Sequence, residues 1–196
     1  NVKYKSMGGM SVYWDFVELP SQIFENWLLE PEVLNLFAKH YETGDMIPSD
    51  YIDKINEVKT YMAGTYSLRQ LHLCKIDMAW HDGYKEVDNV EDYENSILEE
   101  CKIIKSVKGT SVSSSFSHIF SGGYSAGYYS YKWAELLEAD AFEKFKQTGI
   151  FNKETADSFK NNILSKGNTD HPMNLYVKFR GREPKVDALL KKSGLT

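Results

Sequence analysis

The chain has 196 residues, of which 42% are hydrophobic and 14% aromatic, and its formal net charge is −5. These values are typical of one or at most two globular domains with a real core, and they exclude a largely disordered chain. The charges are interspersed and form no concentrated basic face, so nucleic acid is not expected as a partner. No apolar run approaches the roughly 18 residues of a membrane-spanning helix, so no membrane partner is expected either.

The cysteines and the start of the chain bear on its cellular compartment. Cys74 and Cys101 lie in apolar patterns of helical period. They are expected to be buried thiols of a reducing compartment, and no disulfide framework is predicted. The first residue is Asn1, and no signal-peptide pattern follows it. The chain is therefore expected to be a piece of a longer protein, with a cytoplasmic localisation that the missing part could change.

Apolar residues recur at helical spacing along almost the whole chain, and strand patterns are absent. Asp15, Asp92 and Asn152 are typical N-cap residues, and Pro31 is typical of a first helical position. The predicted helices cover about 15–29, 31–41, 49–62, 65–82, 92–104, 124–146, 152–167, 171–180 and 186–192. The sequence thus predicts a single all-α unit over residues 1–196.

One stretch, residues 116–133, holds one histidine, four tyrosines and three glycines. Gly122 and Gly123 break regular structure, and a helix is predicted after them. On that helix Tyr124, Tyr128 and Tyr131 would form one stripe at i, i+4 and i+7. The spacing alone favours an aromatic core stripe. The scarcity of aliphatic residues favours instead a hydroxyl-bearing face that grips an extended polar ligand, such as a peptide.

Few residues outside this stretch are candidates for chemistry. No two of the five histidines have the spacing that places both on one helical face toward zinc. Most lone histidines in helical proteins are packed or surface residues, and His118 differs only because it precedes the glycine pair. Glu18 is an acid among apolar neighbours, and a buried carboxylate requires a cation, a metal or hydrogen-bond donors. Glu18 is therefore a candidate for a metal-binding or other functional role, with an interior carboxylate that meets a cation or hydrogen-bond donors as the alternative.

Two segments carry a resemblance to a known family. DFVELPSQIFENW (residues 15–27) and HIFSGGYSAGYYSYKW (residues 118–133) resemble the thimet oligopeptidase family of zinc peptidases, which includes neurolysin, oligopeptidase A and the bacterial peptidyl-dipeptidases. The resemblance continues through FRGREP at residues 179–184 and covers essentially the whole chain. It implies the helical C-terminal portion of a zincin-like (gluzincin) metallopeptidase domain acting on short peptides.

The resemblance also implies roles for individual residues. Glu18 matches the third zinc ligand of the family, beside two histidines of an H-E-x-x-H helix. Tyr131 matches a donor to the oxyanion of the tetrahedral intermediate. His118, Tyr124 and Tyr128 match residues that hold the substrate backbone on a face across the cleft from the metal. Gly122, Gly123 and Gly127 would let the preceding loop close over bound peptide.

The chain departs from the family pattern in one respect with consequences for activity. The H-E-x-x-H helix lies about 25 residues before the third ligand in the family, which falls upstream of Asn1. The isolated chain is therefore expected to bind no catalytic zinc at Glu18, to hydrolyse no peptides, and to self-associate through apolar faces left uncovered. At the entry to the cleft, Gly8-Gly9-Met10-Ser11 and Trp14 also differ from common family residues.

Two other interpretations remain open. One is a non-catalytic helical module that binds a peptide in a groove lined by Tyr124, Tyr128 and Tyr131. The other is a metal-free enzyme with His118 as base, although no nucleophile or orienting partner is evident beside it. Within the family, the sequence leaves endopeptidase action and the release of C-terminal dipeptides as alternatives.

Overall fold

The computed structural model describes residues 2–84, 86–99, 101–102, 104 and 106–195. This part of the chain is helical, and its only β-type pairing is an isolated bridge between Lys39 and Met46. The predicted all-α class is confirmed for these residues. The α-helices within them are α1 (Trp14–Val17), α2 (Leu19–Glu25), α3 (Pro31–Phe37), α4 (Ser49–Val58), α5 (Ala63–His81), α6 (Val90–Leu98), α7 (Ser117–Phe120), α8 (Ser130–Thr148), α9 (Lys153–Phe159), α10 (Pro172–Arg180) and α11 (Asp187–Lys192).

Several helix ends differ from the sequence-based prediction. The segment predicted as one helix over 15–29 is divided into α1, α2 and a 3-10 turn at Asn26–Leu29, with Pro20 in the first turn of α2. Asp15 lies inside the first turn of α1, and Tyr13 occupies the N-cap. Asn89 caps α6 by accepting a hydrogen bond from the Asp92 amide. Asp15 and Asp92 therefore lie in the first turns of their helices and are not the N-caps that the sequence suggested. A negative charge there interacts favourably with the helix dipole.

Helix α3 begins at Pro31 as predicted but ends at Phe37, before the predicted end near residue 41. The chain folds back there, because the Ile47 amide donates to the Ala38 carbonyl at 2.9 Å. The apolar face predicted for this segment is therefore largely exposed, with Phe37 at 57% and Tyr41 at 87%. Only Leu34 is buried in α3.

The chain forms two compact units, of which the first comprises the residues up to Ala63 and those from Lys132 onward. Its core is aromatic and aliphatic, and the ring of Trp27 lies 4.7 Å from the rings of both Phe142 and Phe145. The buried members of this core are Phe16, Leu19, Ile23, Leu137, Ala141, Phe142, Phe145, Ile150, Phe159, Ile163, Leu175, Tyr176 and Phe179.

A buried carboxylate fastens α10 to α8 within the first unit. Asp140 is 2% exposed and accepts hydrogen bonds from the hydroxyl of Tyr176 at 2.7 Å and from Arg182 at 2.6 Å. The guanidinium of Arg180 lies 3.2 Å from the same carboxylate. These donors satisfy a group that would otherwise be costly to bury. The arginines of the FRGREP segment thus have a structural role in this unit.

The second unit spans Gly64–Tyr131 and has a smaller core of its own. Leu73 and Ile76 from α5 are buried there with residues of α6 and of the segment before α7, and Tyr128 packs against them. Cys101 also packs on this core, but both cysteines are half-buried thiols and not the fully buried ones that the sequence suggested. The prediction of a single peptidase fragment over residues 1–196 stays a prediction.

Among the described residues, no helix is both long and apolar enough to cross a lipid bilayer.

Candidate functional site

Four of the residues singled out in the sequence meet in the second unit, and we call His118, Tyr124, Tyr128 and Tyr131 the tyrosine cluster. The rings of Tyr124 and Tyr131 stack, with centroids 5.1 Å apart and an interplanar angle of 21°. The ring of Tyr128 lies 5.2 Å from that of Tyr131. The imidazole of His118 lies 6.0, 5.8 and 6.3 Å from the rings of Tyr124, Tyr128 and Tyr131.

The backbone that brings these rings together is a turn and not the predicted helix. Helix α8 begins only at Ser130, so Tyr124 and Tyr128 precede it. Residues 125–129 form successive turns, which begin where the Gly127 amide donates to the Tyr124 carbonyl at 2.9 Å. The predicted helical stripe at i, i+4 and i+7 is therefore wrong as local structure. The three rings are nevertheless neighbours, because the turns fold Tyr124 back toward Tyr131.

The two glycines before this turn have different structural reasons. Gly123 has φ of +84°, a left-handed conformation that other residues adopt only at a cost. Gly122 has no such requirement, but a Cβ there would lie 2.8 Å from the Cα and 2.9 Å from the carbonyl oxygen of His118. The close approach of the two backbones therefore requires glycine at position 122, and this approach sets the position of His118.

We expect Gly122→Ala to destabilise the protein by ~1–3 kcal/mol, because the added methyl group meets backbone atoms that cannot move independently. The midpoint of urea denaturation measures the loss. Gly64→Ala is the matched control, since a Cβ at Gly64 in α5 meets nothing within 4 Å. That substitution is expected to be neutral or slightly stabilising. Equal stability of the two variants would contradict the steric role of Gly122.

The tyrosine cluster is partly core and partly accessible. His118 is exposed, whereas the three tyrosines are half-buried. Burial raises the pKa of Tyr128 above its ordinary value, and the positive charge of Arg69 opposes this effect. Tyr128 therefore remains a neutral phenol that can donate a hydrogen bond at physiological pH. Of the two interpretations of the tyrosines, an aromatic core describes Tyr128 in part, because it packs against the core of the second unit. The ligand-binding face stays a prediction.

Sequence reasoning overlooked the carboxylate behind this turn. Asp77 in α5 is fully buried and accepts hydrogen bonds from the amides of Ala126 at 2.9 Å and Tyr128 at 2.8 Å. The available signal was an acid on the same helical face as the core residues Leu73 and Trp80. A charged group on such a face is unexpected unless donors surround it.

A second buried acid, Glu94 of α6, holds the segment that precedes the cluster. Its carboxylate accepts hydrogen bonds from the Val112 amide at 3.1 Å, the Ser113 amide at 2.5 Å and the Ser111 hydroxyl at 2.8 Å. Burial favours the neutral acid, but these hydrogen bonds outweigh it and lower the pKa of Glu94. Glu94 thus stabilises residues 111–113, which precede the turn.

Glu18, the sequence-based candidate metal ligand, lies in the first unit between α1 and α2. It is half-buried, and one oxygen of its carboxylate accepts a hydrogen bond from the Ser21 hydroxyl at 2.8 Å. A hydroxyl of this kind can orient a carboxylate for metal binding. However, the described residues contain no group of three or more histidines, cysteines or acids that could hold a metal ion. Among them, Glu18 therefore fits a zinc site as one ligand of several and does not complete it.

Comparison with known proteins gives a consistent match over the whole chain. The model of the family described as Peptidase family M3 matches residues 1–195. Oligopeptidase A of Escherichia coli is 45% identical over 99% of the chain, and the probable cytosolic oligopeptidase A of Arabidopsis thaliana is 41% identical over 96%. The dipeptidyl carboxypeptidase of Escherichia coli is 33% identical over 98% of the chain. The chain covers 29%, 28% and 29% of the length of these relatives.

Proposed function

The chain belongs to peptidase family M3, and on that premise we propose that it forms part of a zinc-dependent oligopeptidase that hydrolyses peptide bonds in short peptides. The observation that carries the proposal is the tyrosine cluster, which places one imidazole and three phenol rings within 6.3 Å of a neighbouring ring. Phenol hydroxyls donate to and accept from the backbone of an extended peptide, whatever its side chains. Such a surface suits an enzyme that acts on mixed short peptides.

In this proposal the residues of the cluster have different roles. His118, Tyr124 and Tyr128 hold the substrate backbone, with His118 the most exposed of the four. Tyr131 donates a hydrogen bond to the oxygen that becomes negatively charged when the scissile carbonyl is attacked. Gly122 and Gly123 shape the loop that carries His118 toward the peptide. The compact turn keeps the donors in place before substrate arrives, which lowers the cost of reorganisation.

Glu18 would be one zinc ligand in the complete enzyme, with the other protein ligands supplied by residues beyond these 196. Bound zinc in such a site activates water and polarises the scissile carbonyl. The half-buried position of Glu18 and its hydrogen bond from Ser21 support this role, because both restrict the orientation of the carboxylate.

The test of the function uses the protein at its full natural length, because the chain covers less than a third of its relatives. We expect cleavage of an internally quenched peptide of about ten residues, loss of cleavage with a chelator, and recovery on adding zinc. Product mass spectrometry separates internal cleavage from release of C-terminal dipeptides. An enzyme insensitive to chelators would contradict the proposal.

The 196-residue chain alone is expected to show no cleavage of the same peptide and no stoichiometric zinc. The physical reason is that a single carboxylate binds zinc weakly in water, and the described residues bring no second and third ligand to Glu18. Metal analysis after dialysis, together with the peptide assay at equal molar concentration, checks both parts. Chelator-sensitive cleavage by the isolated chain would show the prediction to be wrong.

The same measurements decide the alternative of a non-catalytic peptide-binding module. This alternative is favoured by one observation, which is that the cluster of His118, Tyr124, Tyr128 and Tyr131 assembles within a single unit. If it is correct, the natural-length protein binds the peptide without cleaving it, and added zinc changes nothing. Cleavage that depends on zinc excludes it.

We further propose that the isolated chain self-associates. Large apolar side chains of α3, α4 and the residues near them are exposed, among them Leu36 at 66%, Val58 at 68% and Tyr61 at 76%. Burial of such surface is favourable by ~25 cal/mol per Å². We expect light scattering to give a mass above the 22.5 kDa of one chain at micromolar concentration. A monomer at all concentrations up to the millimolar range would contradict the prediction.

A further inference from the structure

The turn that carries the tyrosine cluster is held from behind by one side chain. Asp77 lies on α5 with none of its surface exposed, and its two carboxylate oxygens have separate partners. Oδ1 accepts from the amide of Ala126 at 2.9 Å, and Oδ2 accepts from the amide of Tyr128 at 2.8 Å. Both amides belong to the turn that precedes α8. The carboxylate thus fixes two backbone positions on either side of Gly127.

His81 completes the surroundings of this carboxylate. Its Nδ1 lies 2.9 Å from Oδ1 of Asp77 and 2.8 Å from the backbone carbonyl of the same residue, one helical turn earlier. The imidazole ring also lies 5.8 Å from the ring of Phe120 in α7. Charge-assisted hydrogen bonds of this kind offset the cost of burying a carboxylate. Asp77 is therefore a satisfied group whose acceptors are directed at the turn and at His81.

The conformation of the turn explains why such a hold is needed. Ala126 has φ of +53°, which is the left-handed region and is unfavourable for any residue with a Cβ. Backbone conformations of this kind persist only where surrounding contacts impose them. The hydrogen bond from the Ala126 amide to Asp77 is such a contact. Without this hydrogen bond, the unfavourable φ of Ala126 favours another backbone conformation, in which Tyr124 no longer stacks on Tyr131.

We propose that Asp77 is a positioning residue for the peptide site, holding the turn at Ala126 and Tyr128 so that the rings of the tyrosine cluster keep their mutual geometry. The proposal rests on the proposed function, because the cluster matters for catalysis only if it binds peptide. Asp77 itself is buried and touches no substrate. It acts through the backbone of residues 126–128, and through them on Tyr128 and Tyr131.

The test compares Asp77→Asn with Glu94→Gln in the protein of full natural length. Asparagine keeps the size of the side chain but replaces one acceptor with a donor, which faces an amide N–H. Glu94→Gln is the matched control, since Glu94 is also a buried acid of the same unit that accepts from backbone amides, but at Val112 and Ser113. Both variants are studied well below their unfolding temperatures, so that each is folded.

The first readout is amide hydrogen exchange, which is measured by mass spectrometry on peptides that cover residues 120–132. Asp77→Asn is expected to speed exchange at Ala126 and Tyr128 by about tenfold or more, because their acceptor is weakened. Glu94→Gln is expected to leave this segment unchanged and to speed exchange at residues 111–113. Unchanged exchange at residues 126–128 in Asp77→Asn would overturn the proposal, whatever the activity.

The second readout is the titration of Tyr128 in the protein of full natural length, monitored through the ring carbon resonances of ¹³C-labelled tyrosine. The pKa of Tyr128 is raised by burial in the native protein. A displaced ring gains solvent, so its pKa in Asp77→Asn is expected to fall toward the ordinary value near 10. A merely structural loss would reduce the folded fraction without moving this titration in the molecules that remain folded. An unchanged titration therefore counts against the positioning role.

The third readout is peptide cleavage. A turn displaced by about 1 Å is expected to lower kcat by roughly tenfold to a hundredfold, while Glu94→Gln stays within about threefold of the unmodified enzyme. Normal kcat in Asp77→Asn despite faster exchange would overturn the proposal. If the unmodified protein cleaves no peptide, the proposed function fails instead. Exchange and the Tyr128 titration then still decide whether Asp77 holds the turn.

Discussion

Replacing Tyr131 by phenylalanine is expected to lower kcat for peptide hydrolysis in the natural-length protein by about a hundredfold or more. The substitution keeps the ring, which stacks on Tyr124 at 5.1 Å, and removes only the hydroxyl. A donor that acts on the developing oxyanion contributes in the transition state and little in the ground state. The KM should therefore stay within about threefold of its original value.

Tyr129→Phe is the matched control for this experiment. Tyr129 lies two residues earlier, is 45% exposed, and takes no part in the ring contacts of the tyrosine cluster. Removing its hydroxyl is expected to change kcat and KM by less than about twofold, since surface substitutions away from special features have small effects. A higher KM with unchanged kcat in Tyr131→Phe would assign Tyr131 to substrate binding and contradict its role as oxyanion donor.

Glu18→Gln is expected to abolish stoichiometric zinc binding and, with it, peptide cleavage. The amide keeps the size of the side chain and can still accept from Ser21, but it carries no charge and is a poor zinc ligand. We expect zinc affinity to fall by at least about a hundredfold, which is the upper end of the effect of losing a single outer-shell partner. Competition with a chromophoric chelator measures the affinity in the natural-length protein.

Glu25→Gln provides the comparison for the metal experiment. Glu25 is an exposed acid at the end of α2, the helix that follows Glu18, and its substitution makes the same change in charge. Zinc content and cleavage are expected to be unchanged in this variant. If Glu18→Gln retains both full zinc occupancy and full activity, Glu18 is not a metal ligand, and the metal site of the enzyme has to be sought among other residues.

The two experiments address different parts of the proposal. Loss of zinc in Glu18→Gln tests the metal site, whereas Tyr131→Phe should retain zinc and lose rate. A Tyr131 variant that also loses zinc would point to a general effect on the fold. Measuring the metal content of both variants therefore separates the roles of the two residues.

Much of the helical architecture was predictable from local signals. Pro31 begins α3, Asn152 caps α9 through a hydrogen bond from Thr155, and α10 ends before Gly181 in a left-handed conformation. Proline restricts and glycine widens the range of allowed backbone angles without help from distant residues. A helix cap likewise needs only neighbours a few residues away. The prediction was wrong where the chain after a helix folds back on its end, as at Ala38, whose carbonyl accepts a hydrogen bond from the Ile47 amide just beyond α3.

The composition and spacing of residues 116–133 by themselves made Tyr124, Tyr128 and Tyr131 candidates for binding an extended polar ligand such as a peptide, and the family resemblance added His118. The resemblance to a peptidase family rested on residues 15–27, 118–133 and 179–184, and the family match covers residues 1–195. The arrangement of these side chains was decided only by tertiary structure. A helical stripe was expected, but the buried carboxylate of Asp77 bonds the amides of Ala126 and Tyr128 and holds a turn there. The helical face of Asp77 indicates a buried acid, but no local signal reveals which backbone it holds, because Ala126 and Tyr128 lie 49 and 51 residues after it and meet it only when the chain is folded.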